Sequence, residues 1–422
     1  MEYLVSIEIN GQPRIVGTIS GATSDEAVFR YARSYLGSPD AAPISVSLPL
    51  KEPSYSPEAT KNFFDGLLPE GFTRGSVASR LQLDENDYLR ILYNLGRECI
   101  GALRIYTADE DSKAYYEKLS IERIKQLAAE GASESTALVV EARLSLTGAS
   151  GKVGLYRSPA DEWYLPHGTA PSTHIVKQSH VRLQSIVPNE LLCLETAKRM
   201  GIDIPESSII NTGNGSDADV LLASKRFDRV FADESSLTNE LPIPLRLHQE
   251  DFAQALGIPA KEKYEQGRHY LADMFTLIRN RSARPVEDQL KLWDITVFNY
   301  LIGNTDGHLK NFSLLYSPDL RSLRLAPAYD IINATGYGDL TKRMAFAIGG
   351  AAQIDEVTRD SFRLAAKEVG LGERMAMRRL NETINRFKPA LYEASDALSK
   401  EYPEVKDIRD KILAFGGIRF ID

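Results

Sequence analysis

One stretch constrains this chain more than any other: WDITVFNYLIGNTDGHLKNFSLLYSPDLRSLRLAPAYD, from Trp293 to Asp330. Ile295, Phe298, Leu301 and Ile302 recur at i, i+3 and i+4 spacings, which predicts a buried helix. Gly303-Asn304-Thr305-Asp306-Gly307-His308 then breaks the period with two glycines and three small polar residues. Phe312 to Tyr316 reads as a strand, Ser317-Pro318-Asp319 as a turn, and the segment closes on Pro327-Ala328-Tyr329-Asp330. Asp306 and Asn311 stand five positions apart. A kinase catalytic loop uses that D-x-x-x-x-N spacing, with the Asp taking the substrate hydroxyl's proton and the Asn holding a metal ion. Asp330 adds a second carboxylate after the following hairpin, where a kinase keeps its other metal-binding Asp. Phosphoryl transfer requires such a set, because Mg²⁺ takes hard oxygen ligands and the attacking hydroxyl needs one oriented carboxylate. Asp, Asn and Gly also build ordinary turns, so the spacing alone admits a loop without chemistry.

The rest of the chain decides between these. Its 422 residues suffice for two or three domains with a sizeable core. A net charge of -8 gives no global basic field for nucleic acid, so any DNA contact needs a local patch. Cys99 and Cys193 form no metal or disulfide pattern, which fits a reducing compartment. The opening MEYLVSIEINGQPRIVG is a hairpin pattern around Asn10-Gly11 and not a signal peptide, and no apolar run reaches membrane-spanning length. A cytoplasmic protein without membrane contact is expected.

The spacing further predicts a helix from Ser24 to about Leu36, a strand from Ile44 to Leu50, and helices near 56–68, 73–81, 84–95 and 120–130. A strand is expected at 101–106. From Leu138 the pattern reads strand, loop, strand, with Ser145-Leu146-Thr147-Gly148-Ala149-Ser150-Gly151-Lys152 as the loop. Small residues there expose backbone N–H groups that can cradle phosphate oxygens, and Lys152 adds charge. The loop is not a Walker A motif: position 146 is leucine and no Ser or Thr follows Lys152. A glycine-rich loop between two strands is the kinase arrangement, although a plain hairpin turn has the same composition. Thr173-His174-Ile175-Val176-Lys177 ends a strand on a lysine, as the phosphate-pairing lysine of V-A-I-K does. Pro188-Asn189-Glu190 opens an amphipathic helix, where Glu190 or Glu195 could pair with Lys177. Asp219 to Val230 is an apolar strand turning polar, with backbone near Lys225, Arg226 and Phe227 suited to an adenine hinge. His248 reads as structural. Helices are expected at 249–256, 266–281, 287–302, 359–369, 371–386, 389–399 and 404–414.

These motifs together resemble the HipA family of bacterial serine/threonine kinases, the toxins of HipA–HipB modules. The stretches that carry the resemblance are Leu68-Pro69-Glu70-Gly71, Gly96 to Leu103, Ser145 to Lys152, Thr173 to Lys177, Pro188-Asn189-Glu190, Arg226-Phe227-Asp228-Arg229, Gln249-Glu250-Asp251, Gly303 to Phe312 and Tyr329-Asp330-Ile331-Ile332. The resemblance implies Asp306 as catalytic base and Asn311 and Asp330 as Mg²⁺ ligands. It implies ATP binding by Thr147, Gly148, Ala149, Ser150, Gly151, Lys152, Lys177, Lys225, Arg226, Phe227, His308, Lys310, Asn311, Tyr329 and Asp330. Ser145 takes the position of inhibitory autophosphorylation, which expels the loop, with Thr147 and Ser150 as other hydroxyls. An aminoacyl-tRNA synthetase, the glutamyl enzyme first, is the implied substrate, and its modification would halt translation and favour persistence. The implied partner is a HipB-like helix-turn-helix antitoxin, through which the complex sits on operator DNA.

The chain departs from the family's loop, which usually carries Gln and often Glu where Ser150 and Gly151 stand, and from its hinge, which usually begins with Glu where Lys225 stands. Lys367, Arg378 and Arg379 are candidates for direct DNA contact, against a solvated helix face. A lipid or small-molecule kinase akin to phosphatidylinositol kinases, and a catalytically silent co-repressor, are the other readings. The expected fold is α+β and two-lobed, kinase-like, with a β-rich N-terminal lobe and a mainly helical C-terminal lobe. The expected segments are 1–135 for an N-terminal subdomain, 136–230 for the nucleotide-binding part and 231–422 for the helical lobe.

Overall fold

Alternation and turn chemistry build the first sheet. Tyr3, Val5, Ile7 and Ile9 of strand Glu2–Ile9 point inward, and Asn10 and Gly11 take φ of 50° and 75°, as a primed hairpin turn requires. Strand Gln12–Ser20 returns antiparallel, and the sheet runs Val28–Tyr31, Gln12–Ser20, Glu2–Ile9, Leu103–Tyr106. The computed structural model describes residues 1–108, 113–148, 151–179, 183–232, 235–338 and 341–415. It comprises two compact units. The first is Met1–Gln178, Ile210–Ala260 and Leu314–Leu323; the second is Ser179–Ile209, Lys261–Ser313 and Arg324–Asp422. The chain is α+β, as expected.

In the first unit, five strands of a second sheet run Tyr115–Lys118, Trp163–His167, Lys152–Arg157, His174–Gln178, Val220–Lys225. Helices Pro57–Phe64, Gly71–Leu81, Tyr88–Leu95, Ile121–Glu130 and Ala132–Ala142 accompany the sheets. Four elements differ from expectation, the first being the helix expected at 249–256, which starts as a strand, Gln249–Asp251, and is helical only over Phe252–Leu256. Of the helix expected from Ser24 to about Leu36, only a turn, Ser24–Glu26, and a short helix, Arg33–Leu36, form, because Phe29 and Tyr31 are drawn inward by a strand, Val28–Tyr31. Ile44 to Leu50 makes only an isolated bridge, Ser45 to Leu48. The strand expected from Leu138 is the end of helix Ala132–Ala142, whose Leu138, Val139 and Ala142 are buried. Arg143 at φ 53° and bonds from Arg143 N to Val140 O and Leu144 N to Val139 O close that helix with a left-handed cap. Burial of one helical face outweighs the β preference of Val139-Val140.

The second unit is mainly helical: Ile186–Arg199, Tyr270–Arg281, Pro285–Ile302, Arg359–Glu368, Glu373–Leu398 and Val405–Ala414. Trp293 is fully buried, donates from Nε1 to Ala376 O at 3.1 Å, and meets Phe362 edge-on. The two helices expected between 371 and 399 are one, with Pro389 inside it. Leu380, Ile384, Phe387, Leu391 and Ala394 form one buried stripe across the proline and hold the helix together. No helix among the described residues is long and apolar enough to cross a membrane.

Candidate active site

The glycine loop belongs to the first unit and joins the cap of helix Ala132–Ala142 to strand Lys152–Arg157. Its entry is locked. Ser145 is fully buried, its N donates to Glu98 O at 2.8 Å and its Oγ to Leu67 O at 2.7 Å. Gly148 takes φ 106°, a conformation that favours glycine, and its carbonyl accepts from Glu70 N at 3.1 Å. A Cβ at Gly148 would lie 2.6 Å from Lys152 Nζ, so the lysine ammonium lies close against the Gly148 backbone. Thr147 is half-buried; Ala149 and Ser150 lie outside the described residues. Lys152 stands directly opposite Lys177 in the antiparallel pair, so the two side chains leave the same face of the sheet.

The hinge residues divide. Lys225 is exposed and Phe227 half-buried. The Arg226 N–H is spent on Thr173 O at 2.9 Å, and its guanidinium lies in a buried network with Asp228, Arg229 and Glu98. Burial alone would push the Asp228 carboxyl up, but the guanidiniums of Arg226 and Arg229 outweigh it and hold it well below the usual carboxylate range. Gly101 N and Gln249 Nε2 also donate to Asp228 Oδ2, at 2.8 and 2.9 Å. Arg226, Asp228, Arg229 and Gln249 therefore tie this unit together from inside. His248 is structural as expected, with Nε2 bonded to Ile44 O at 2.8 Å and burial lowering it to about 4.

The carboxylates belong to the second unit. Helix Pro285–Ile302 stops at Gly303, φ 77°, where a Cβ would lie 2.3 Å from Thr335 Oγ1. Asn333 Nδ2 donates to Ile302 O at 2.7 Å, and the Ala334 and Thr335 N–H groups donate to Gly303 O. Asn189 exchanges bonds with the Asn333 backbone, Nδ2 to O at 3.0 Å and N to Oδ1 at 2.8 Å. Beyond Gly303 the loop closes on itself. Asp306 N donates to Asn304 Oδ1 at 3.1 Å, His308 N to Asp306 O at 2.8 Å, and Asn311 Nδ2 to Asp306 O at 2.9 Å. Asp306 and Asn311 are thus brought together, and Asn311 is left its amide oxygen to offer a cation. Tyr329 donates to Lys310 O at 2.9 Å and lies 2.6 Å from Ser313 Oγ, which sets the segment carrying Asp330 on the loop. Asp330 has φ 57°, left-handed and strained for a side-chain-bearing residue. Lys310 and His308 are buried. Glu190 is buried on helix Ile186–Arg199, while Glu195 pairs with Arg199 on the same helix. Arg379, a candidate for DNA, forms an ion pair with Asp294.

Three groups in this unit escape sequence reasoning. Tyr264 donates to Asp306 Oδ1 at 2.5 Å from a segment with no periodic signal. The Asn189–Asn333 exchange joins positions far apart in the chain. Asp288, buried at the start of helix Pro285–Ile302, takes both guanidinium arms of Arg324 at 2.9 Å and Leu325 N at 3.0 Å. Its place in the first turn of a helix reads from sequence only as a dipole partner.

Residues 7–106 match the HipA N-terminal domain model, and residues 144–391 the HipA-like C-terminal domain model. The chain is 32% identical over 400 residues to Y4mE of Sinorhizobium fredii, covering 92% of this chain and 91% of that protein. It is 26% identical over 386 residues to the serine/threonine-protein kinase toxin HipA of Shewanella oneidensis, covering 87% and 84%. The solved structure of Shewanella oneidensis HipA with HipB and operator DNA matches in fold, with a TM-score of 0.78 at 22% identity over 97% of this chain and 96% of that one.

Proposed function

This chain belongs to the HipA family, and on that premise we propose that it is a serine/threonine protein kinase of the toxin type, transferring the γ-phosphoryl group of ATP to a protein hydroxyl. The observation that carries this reading is the closed loop in which the Asn311 amide holds the Asp306 carbonyl at 2.9 Å. In that reading Asp306 receives the proton of the attacking hydroxyl. Asn311 and Asp330 would hold Mg²⁺, since their oxygens are the hard donors it takes, and it would supply charge neutralisation at the phosphates. Lys152 and Lys177, opposite each other on one sheet face, take the phosphates, with Thr147 to Gly151 cradling them. Lys225 and Phe227 line the adenine, by backbone groups and ring, while Arg226 supports the hinge from inside. Catalysis then rests on positioning and charge neutralisation.

Ser145 is the inhibitory phosphosite of this reading. Its buried hydroxyl, bonded to Leu67 O, becomes an acceptor only when the loop leaves, which agrees with a modification that locks the loop out. The substrate we infer is an aminoacyl-tRNA synthetase, the glutamyl enzyme first, with translation arrest and persistence as the outcome in the cytoplasm. The Shewanella relative's structure with HipB and operator DNA supports a HipB-like antitoxin as partner, bound to DNA through it.

Intact-mass spectrometry with Mg·ATP, wild type beside Asp306→Asn and followed by peptide mapping, tests the reading. Phosphate gain in wild type alone, on Ser145, Thr147 or Ser150, is the expected result. Equal gain in Asp306→Asn would remove Asp306 as base.

A further inference from the structure

In the second unit a short strap, Glu262 to Glu265, crosses the catalytic loop and is pinned along its length. Tyr270 OH donates to Glu262 O at 2.7 Å, and Leu309 N donates to Lys263 O at 3.3 Å. Glu265 N donates to Ala345 O at 2.7 Å, and Glu265 Oε2 accepts from Ala347 N at 2.5 Å. Tyr264 lies between these anchors. Its ring meets His308 edge-on, centroids 5.2 Å apart at 90°, and its hydroxyl donates to Asp306 Oδ1 at 2.5 Å. That length is the one expected of an O–H bond to an ionised carboxylate. The ring is 41% exposed, so burial does not explain its place.

We propose that Tyr264 is a positioning residue for the base, helping to hold the plane of the Asp306 carboxylate and so the direction in which it meets the hydroxyl to be phosphorylated. The inference rests on the reading of Asp306 as base. The backbone of Asp306 is fixed by Asn304, His308 and Asn311, but those bonds leave its side-chain torsions to be set by other contacts. A neutral donor suits the task. A tyrosine hydroxyl restrains the carboxylate by a hydrogen bond without placing a formal positive charge beside it. Because both flanking residues are anchored, the hydroxyl is delivered by a rigid strap and not by a loose surface side chain. An orientation set in this way is worth most in the transition state, where a small misplacement costs rate more than binding.

The test measures phosphate incorporation into the protein itself over a series of Mg·ATP concentrations, for wild type, Tyr264→Phe, Tyr264→Leu and Asp306→Asn, with thermal melts of each. Tyr264→Phe keeps the ring on His308 and removes only the hydroxyl. The expected result is a limiting rate reduced roughly 10- to 100-fold in Tyr264→Phe, with half-saturating ATP and Tm unchanged. A wild-type rate in Tyr264→Phe beside a silent Asp306→Asn would overturn the inference and leave the kinase reading standing. Loss in Tyr264→Leu but not in Tyr264→Phe would show that packing on His308 is the whole role, and would also overturn it. Equal incorporation in wild type and Asp306→Asn would end the kinase assignment of Asp306 and this inference with it.

Discussion

A Cβ on Gly151 would lie 1.7 Å from Gln178 Nε2 and 2.9 Å from Ser135 Oγ. Gln178 is buried at the end of the strand that carries Lys177, so it fills the space a side chain at 151 would need. This accounts for a glycine at position 151. Gly151→Ala is therefore expected to destabilise the protein by about 1–3 kcal/mol in chemical denaturation, the usual cost of overpacking. Gln178→Ala in the same chain is expected to recover part of that loss. A Gly151→Ala variant as stable as wild type would show that Gln178 swings aside at no cost. Other residues divide by how local their signal is. Asp306 and Asn311 are legible because their spacing and their bond lie within one loop. Tyr264 is not legible, since its partner is 42 positions away and a lone tyrosine between two charged residues carries no pattern. Arg226 misleads for the opposite reason: a cation at a hinge reads as solvent- or ligand-facing, and only the fold reveals Glu98 and Asp228 around it.

Elements were legible where one period dominated. The hairpin at Asn10-Gly11 and the helices Gly71–Leu81, Ile121–Glu130 and Pro285–Ile302 follow from turn chemistry and the 3.6 repeat. Val28–Tyr31 and Ala132–Ala142 exchanged types because pairing with Gln12–Ser20 and burial of one helical face are tertiary effects that propensity does not contain. Strand Gln249–Asp251 adds a consequence of burial. Glu250 is fully buried and accepts from Ser45 Oγ at 2.5 Å, from Val46 N at 3.0 Å and from Tyr316 OH, so it stitches a turn and a second strand to its own. Burial pushes its carboxyl up to about 7, the three donors only partly opposing. A carboxyl raised in the folded state contributes stability that is fully present below its ordinary value of 4.5 and is lost as pH rises through about 7. The contribution is on the order of 3 kcal/mol at most, since each tenfold change in proton affinity is worth about 1.4 kcal/mol. Glu250→Gln does not titrate, so its melting temperature relative to wild type is expected to rise between pH 4.5 and 7 and to level off above. A difference independent of pH would show that Glu250 keeps an ordinary carboxyl.

At the scale of the molecule, Lys152 and Lys177 belong to the first unit, and Asp306, Asn311 and Asp330 to the second. A ligand that engages only folded protein stabilises it by mass action, by about 2.7 kcal/mol at a hundredfold excess over its Kd. For a chain of this size that is expected to raise Tm by a few degrees. The kinase reading makes a specific demand on that shift. It needs phosphate charge met by lysines and metal charge met by carboxylates, so neither set suffices. Lys177→Ala and Asp330→Asn, in different units, are each expected to abolish most of the Tm rise produced by Mg·ATP, and withholding Mg²⁺ is expected to do the same to wild type. Lys177→Ala should also bind more weakly the ligands that keep the phosphates, such as ADP, while leaving adenosine unaffected. A full Mg·ATP shift in Lys177→Ala would remove this lysine from the phosphates. A full shift in Asp330→Asn, or in wild type without Mg²⁺, would mean that the nucleotide is held without the metal, and Asp330 would then need another account of the strained left-handed backbone it adopts.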